Sequence, residues 1–126
     1  MLRWIASWLI GRRQRVVIKG CASDWVPVLS GVPQGSVLAP LFFLIFINDM
    51  GSEIINSIFS SFADDTKMAK KIATSEDNIN FQEDINSLGK WASENSMLFN
   101  VDKTKIMHLG KHNPLFKYKL NAVELK

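Results

Sequence analysis

The chain has 126 residues, 47% of them hydrophobic, with 15 Lys or Arg against 12 Asp or Glu and a formal net charge of +3. That is enough apolar content for one small cored domain, and it excludes a disordered composition. The single cysteine, Cys21, excludes an internal disulfide framework, fits a reducing compartment and reads as a small packing residue.

The start, Met1 to Ile10, superficially suggests a signal peptide, but Arg3 interrupts it and no small-residue cleavage site precedes Arg12-Arg13. It reads as a helix over 1–10, so an intracellular protein without a targeting segment is expected. A strand over 13–19, a turn over 20–25 and a short strand over 26–29 follow. Ser30-Gly31-Val32-Pro33-Gln34-Gly35-Ser36 is a turn-rich loop: the glycines open backbone angles closed to other residues and Pro33 stiffens the space between them. A helix over 39–50 has Pro40 in its first turn and Gly51 at its stop. It is apolar on nearly every side, which predicts a buried helix, and it is too short for the roughly 20 apolar residues that cross a bilayer. No membrane is expected as a partner.

A strand over 56–62, a tip over 63–65 and a strand over 66–72 place Asp64 and Asp65 at the end of a hairpin. Adjacent carboxylates repel, so the placement costs stability unless a cation binds there. Hard divalent ions take carboxylate oxygens and keep several waters. On the residues alone, a solvated turn in which Asp bonds its own backbone is the commoner case. The Gln34-Gly35 loop likewise reads alone as an ordinary strand-to-helix connection. A second helix over about 76–95 carries Phe81, Ile85, Leu88 and Ala92 on one face, with Thr74 or Ser75 as its cap. Gly89 weakens it by roughly 1 kcal/mol relative to Ala. A strand over about 98–109 has Phe99, Val101, Ile106 and Met107 as expected core, and a last strand lies near 115–120. Charge is uneven: residues 1–20 hold five Arg or Lys and no acid, and residues 103–126 hold six Lys and one Glu. The stretch 21–102 holds four Lys and eleven acids. Basic ends suit a phosphate-tracking surface, and solvated termini would show the same.

The segment from Ser30 to Asp49 (SGVPQGSVLAPLFFLIFIND), followed by Phe62 to Asp65 (FADD), resembles the reverse transcriptase domain of non-LTR, LINE-type retrotransposons. Trp4-Ile5, the Arg12-Arg13-Gln14-Arg15-Val16 run, Leu88, Trp91, Asn95, Leu98, Asn100, Lys103 and Thr104 are similar to further parts of that family. The resemblance covers essentially the whole chain. Ala39 stands where many relatives have Gly, and Phe62 where other polymerases of this broad class have Tyr; neither removes a metal ligand.

The resemblance implies that residues 1–126 are a partial reverse transcriptase domain of the α+β class. It would be an incomplete right-hand polymerase palm, a ferredoxin-like βαββαβ plan lacking its first strand, with the start of the region leading to the thumb. It implies Asp64 and Asp65 as catalytic metal ligands for two Mg2+ ions roughly 3.5–4 Å apart. Lys103 would stand near the pyrophosphate. Gln34, Gly35, Phe62 and Ala63 would line the template and nucleotide cleft, and Arg12, Arg13 and Arg15 would touch template phosphates. Implied partners are an RNA template, a DNA primer and deoxynucleoside triphosphates. The strand bearing another principal Asp, and the fingers, are expected in a missing upstream domain, so the chain by itself is expected to be inactive. The alternatives are a non-enzymatic RNA- or DNA-binding module that uses the basic ends, and a decayed open reading frame.

Overall fold

The computed structural model describes all of residues 1–126, which fall into two units, Met1–Ile45 and Phe46–Lys126. Three helices and eight short strands make a mixed α/β fold.

In the first unit, α1 (Leu2–Leu9) stacks Trp4 on Trp8 with ring centroids 5.9 Å apart. The side chain of Arg12 closes the helix end: its Nε donates to the Leu9 carbonyl at 2.8 Å. Beyond it, β1 (Arg13–Gln14) pairs with β4 (Val26–Pro27), and β2 (Val17–Ile18) pairs with β3 (Cys21–Ala22). The expected strand–turn–strand over 13–29 is therefore one antiparallel hairpin. Its turn is only Lys19-Gly20, both at positive φ (49° and 83°), the type I′ pattern that matches strand twist. Residues 20–25, expected as a turn, instead include a strand, and Cys21 is exposed on it rather than packed. The two ladders are out of step. Between the pairs Gln14↔Val26 and Val17↔Ala22, two residues on one strand face three on the other, so the return strand bulges at 23–25. Ser23 fills the gap: its Oγ accepts from the Val16 N–H at 3.0 Å and its own N–H donates to the Val16 carbonyl at 2.9 Å.

The apolar helix α2 (Ala39–Ile47) starts in the expected place with Pro40 in its first turn. It is not the buried helix its composition predicts. Only Ile47 is buried, and Leu41, Leu44, Ile45 and Phe46 are each exposed. A helix that is apolar all round needs cover on every side, and these four side chains have little. Gly51 does not end the helix in a left-handed conformation. Its missing side chain instead makes room for Phe59, since a Cβ there would stand 2.5 Å from Phe59 Cδ1.

The second unit is organised by α3 (Ser75–Glu94). Thr74 caps it in a reciprocal box: Thr74 Oγ1 accepts from the Asp77 N–H at 3.3 Å, and Asp77 Oδ2 accepts from the Thr74 N–H at 2.8 Å. Hydrogen bonds from the Ala73 and Thr74 backbone hold the Asp77 carboxyl below the usual carboxylate range. Phe81, Ile85, Leu88 and Ala92 are all buried, as their spacing predicts, and Trp91 joins them. Against this face lies a second hairpin, β7 (Lys119–Leu120) and β8 (Val123–Glu124). The Gln82 amide clips it on, accepting from the Lys119 N–H at 2.8 Å and donating to its carbonyl at 2.7 Å. The turn Asn121-Ala122 has both φ positive, and Asn121 sits so close that a Cβ on Gly89 would be 2.6 Å from its Oδ1. That approach is the reason for a glycine inside a helix.

The expected strand over 98–109 does not form. Asn100 turns the chain instead: its carbonyl accepts from the Thr104 N–H at 3.0 Å and Oγ1 at 2.9 Å, while its Oδ1 accepts from the Lys103 N–H at 3.2 Å. An Asn that bonds the backbone ahead of it competes with a ladder and here wins. Phe99, Val101 and Ile106 still pack against the core, whereas Met107 is exposed. Strands pair only in twos, as four separate antiparallel ladders, not as one continuous sheet. No helix is long and apolar enough to cross a membrane.

Candidate active-site hairpin

The two acids sit on the hairpin of β5 (Ile58–Phe62) and β6 (Asp65–Ala69). Its five-pair register ends with Phe62 opposite Asp65, leaving Ala63-Asp64 as a two-residue loop. Ala63 has φ of 51° and Asp64 is not at positive φ. That sign pattern is the type II′ turn, whose first position is normally Gly because a Cβ there crowds the backbone. A II′ turn matches the strand twist, and here the chain accepts strain at Ala63, in a position made for Gly. Ala63→Gly is therefore expected to raise stability by up to about 1 kcal/mol. Urea unfolding should show a higher midpoint at unchanged slope; a lower midpoint would mean that the Ala63 methyl carries packing.

Phe62, Ala63, Asp64 and Asp65 are all exposed, Phe62 at 84%. The pair is a set of hard oxygen donors with free solvent access. It has no third His, Cys, Asp or Glu beside it that would make a closed cage. This suits Mg2+, which keeps several waters and is held by one or two carboxylates together with substrate phosphates.

The open end of the hairpin is bolted to α3 by a residue that the sequence reading missed. Asp84 is only 2% exposed. Its carboxylate accepts from the Ile55 N–H at 3.3 Å, the Asn56 N–H at 3.1 Å, Asn56 Nδ2 at 3.1 Å and the Ser57 hydroxyl. Lys70 Nζ, just past β6, donates to the Asn56 carbonyl at 2.9 Å. Entry to β5 and exit from β6 are thus held at one point. The signal was available: Asp84 lies three residues after Phe81 and four before Leu88, on the apolar stripe of α3, where an acid has to be satisfied inside the protein. Asp49, just past α2 and itself exposed, accepts from Trp91 Nε1 at 3.0 Å.

In the first unit, Gln34 and Gly35 form the corner of a turn. Ser36 donates to the Pro33 carbonyl through its N–H at 3.2 Å and its Oγ at 2.8 Å. Gly35 at φ 80° takes the position that calls for glycine in a type II turn, and Gln34 is exposed at the apex. The Arg12 guanidinium holds the start of this loop by donating to the Ser30 and Gly31 carbonyls. Arg13 and Arg15 are exposed and stand over the Trp25 ring, 5.5 and 4.7 Å from its centroid. Lys103 is exposed in the Asn100 turn and not on a strand.

Comparison with known proteins identifies the family. Residues 1–122 match the family described as reverse transcriptase (RNA-dependent DNA polymerase). The chain is 30% identical to the RNA-directed DNA polymerase from mobile element jockey of Drosophila melanogaster, over 79% of this chain and 12% of that protein. It is 29% identical to the jockey polymerase of Drosophila funebris, over 82% of this chain and 12% of that one. A third relative, "Probable RNA-directed DNA polymerase from transposon X-element" of Drosophila melanogaster, is 38% identical over 48% of this chain and 7% of its own length. No solved structure matches. The chain spans about an eighth of the length of the first two relatives. With residues 1–122 matched to the family, this chain belongs to the reverse transcriptase family, and the relatives it resembles are RNA-directed DNA polymerases of non-LTR retrotransposons.

Proposed function

We propose that the chain is part of the palm of an RNA-directed DNA polymerase and that Asp64 and Asp65 are its metal-binding carboxylates. The observation that carries this reading is the II′ turn, which sets Asp64 in a two-residue loop and Asp65 opposite Phe62 with every one of these side chains open to solvent. Mg2+ bound there supplies charge stabilisation to the transferring phosphoryl group and lowers the pKa of the attacking hydroxyl. Asp64 is the main ligand and Asp65 the auxiliary one. The exposed Phe62 ring is the surface on which the sugar of an incoming deoxynucleotide rests, and the strained Ala63 backbone lies toward the primer end. Gln34 and Gly35 border the template and nucleotide cleft, Arg12 fixes that loop, and Lys103 neutralises the leaving pyrophosphate. In the palm reading, the β5–β6 hairpin and α3 belong to the ferredoxin-like plan, whose remaining strand brings a further carboxylate.

Phosphoryl transfer is almost entirely positioning and electrostatics. Two carboxylates alone hold a metal weakly, so the 126-residue chain is expected to show no primer extension on an RNA template. Metal binding is the direct test. In the 15N-labelled chain, titration with Mn2+ should broaden the amide signals of Ala63 to Asp65 first. Asp64→Asn should raise the half-saturating concentration at least about tenfold, the equivalent of roughly 1.4 kcal/mol. Uniform broadening over the acidic surface, unchanged by Asp64→Asn, would overturn the assignment; Mg2+-dependent extension lost in Asp64→Asn would overturn the expected inactivity of the isolated chain.

A further inference from the structure

We propose that Trp25, with Arg13 and Arg15, is a binding face for single-stranded nucleic acid, in which an unpaired base stacks on the indole and the flanking phosphates sit on the two guanidinium groups. This rests on the template role given to Arg13 and Arg15 above and adds the residue that would hold a base. Two cation–π contacts bring the three side chains together, with the Arg13 and Arg15 guanidinium carbons 5.5 and 4.7 Å from the Trp25 ring centroid. Arg13 is in the ladder, paired with Pro27, and Arg15 and Trp25 lie just beyond its last pair, Gln14↔Val26. The bulge at 23–25 begins at Trp25, and bulges re-aim the side chains beside them. The ring is 49% exposed and both arginines are exposed.

Neither arginine has an acidic partner. The ion pairs of the chain are Lys90 with Glu53 and Glu94, and Lys117 with Glu124; Asp24, next to Trp25, is in none of them. Arg12 differs, because its guanidinium is engaged with three backbone carbonyls. Two full charges are thus held over a half-exposed aromatic ring. An exposed cation–π contact is worth only about 0.5–1 kcal/mol, whereas a base stacked on an aromatic residue is worth about 1–3 kcal/mol by alanine substitution. A base therefore displaces the guanidinium from the ring, and the freed arginine gains a phosphate. A duplex, whose bases are already stacked, offers no such exchange. Stacking on an aromatic ring tolerates every base, so affinity should depend little on sequence.

The test is anisotropy of a labelled uridine 12-mer with the full chain, in low salt and without divalent ions, so that a failed metal titration at Asp64 and a failed result here are separate outcomes. Trp25→Leu is expected to weaken binding at least about fivefold and Trp25→Phe less than half as much on a logarithmic scale. The Arg13→Ala/Arg15→Ala double variant should lower the salt slope by about 1.4, the value for two single-strand phosphates. The blunt-ended duplex of the same length should compete poorly. Near-UV and far-UV circular dichroism confirm that the variants keep the fold. No binding at low salt, equal affinity of Trp25→Leu and the natural chain, or preference for the duplex would each overturn the proposal.

Discussion

Replacing Asp84 with alanine is expected to cost about 3–4 kcal/mol of folding free energy. The carboxylate collects two backbone N–H groups, one side-chain amide and one hydroxyl from Ile55, Asn56 and Ser57. Alanine leaves all of these without an acceptor. Each buried donor left unsatisfied costs about 1–3 kcal/mol. Water recovers part of that here, because Ile55 is exposed and Asn56 and Ser57 are only half-buried. Asparagine tests the argument more finely. It keeps one carbonyl oxygen but turns the other position into a donor. The Ser57 hydroxyl can rotate to accept, whereas the Asn56 N–H cannot, so Asp84→Asn should cost about 1–2 kcal/mol. Urea unfolding gives the order natural chain, Asn, Ala. A loss below about 1 kcal/mol for Ala would show that the hairpin base is held by other contacts. Against a total of about 5–15 kcal/mol for a typical domain, the expected loss is large. The consequence reaches the tip as well. Five residues of β5 put Asp64 about 17 Å from this anchor, so slight rotation at the base shifts the carboxylates by an ångström or more, and geometry looser than that ruins a catalytic site.

What was legible in the sequence follows the range of the forces involved. The stripe Phe81, Ile85, Leu88, the Thr74 cap and the β5–β6 hairpin are set by neighbours within four or five residues, and they form as expected. The strand over 98–109 failed for an equally local reason: the Asn100 turn was present in the sequence but was outweighed in the reading by apolar alternation. The bulge beside Trp25 could not be read, since it appears only once two ladders are seen to differ in register by one. Gly51 and Gly89 were read as a stop and a weak point; their reasons are Phe59 and Asn121, respectively eight and thirty-two positions away. For the site, the residue types and the spacing of the acids were visible, and the polar anchor beneath them was not. Asp84 is one of several acids along α3, and only its place on the buried stripe sets it apart.

Truncating Tyr118 to alanine is expected to cost about 3–5 kcal/mol, the usual loss for a core aromatic. Tyr118 is 3% exposed and sits at the centre of the cluster that joins the β7–β8 hairpin to α3. Its ring meets Phe81 edge-on at 4.9 Å and Phe116 at 5.0 Å, and its hydroxyl donates to Asn78 Oδ1 at 2.8 Å. Tyr118→Phe keeps the ring and leaves the buried Asn78 oxygen without that donor, for about 1–2 kcal/mol. The two variants therefore separate packing from the hydrogen bond. A pH series adds a third measurement, since burial raises the phenol above its ordinary pKa of 10.0. The unfolded chain releases this proton first, so the neutral phenol contributes stability that is complete below about pH 10 and lost as pH rises through the folded value. Tyr118 is the one tyrosine in the chain, so phenolate absorbance reports it without ambiguity. In the folded protein the absorbance should rise above pH 10, together with unfolding. Every other group is common to both proteins, so the alkaline loss of stability in the natural chain minus that in Tyr118→Phe isolates the phenol. Titration near pH 10 with the fold intact would show that the ring is open to water. The core over α3, and with it the footing of Asp84 and the β5–β6 hairpin, would then be looser than these contacts require.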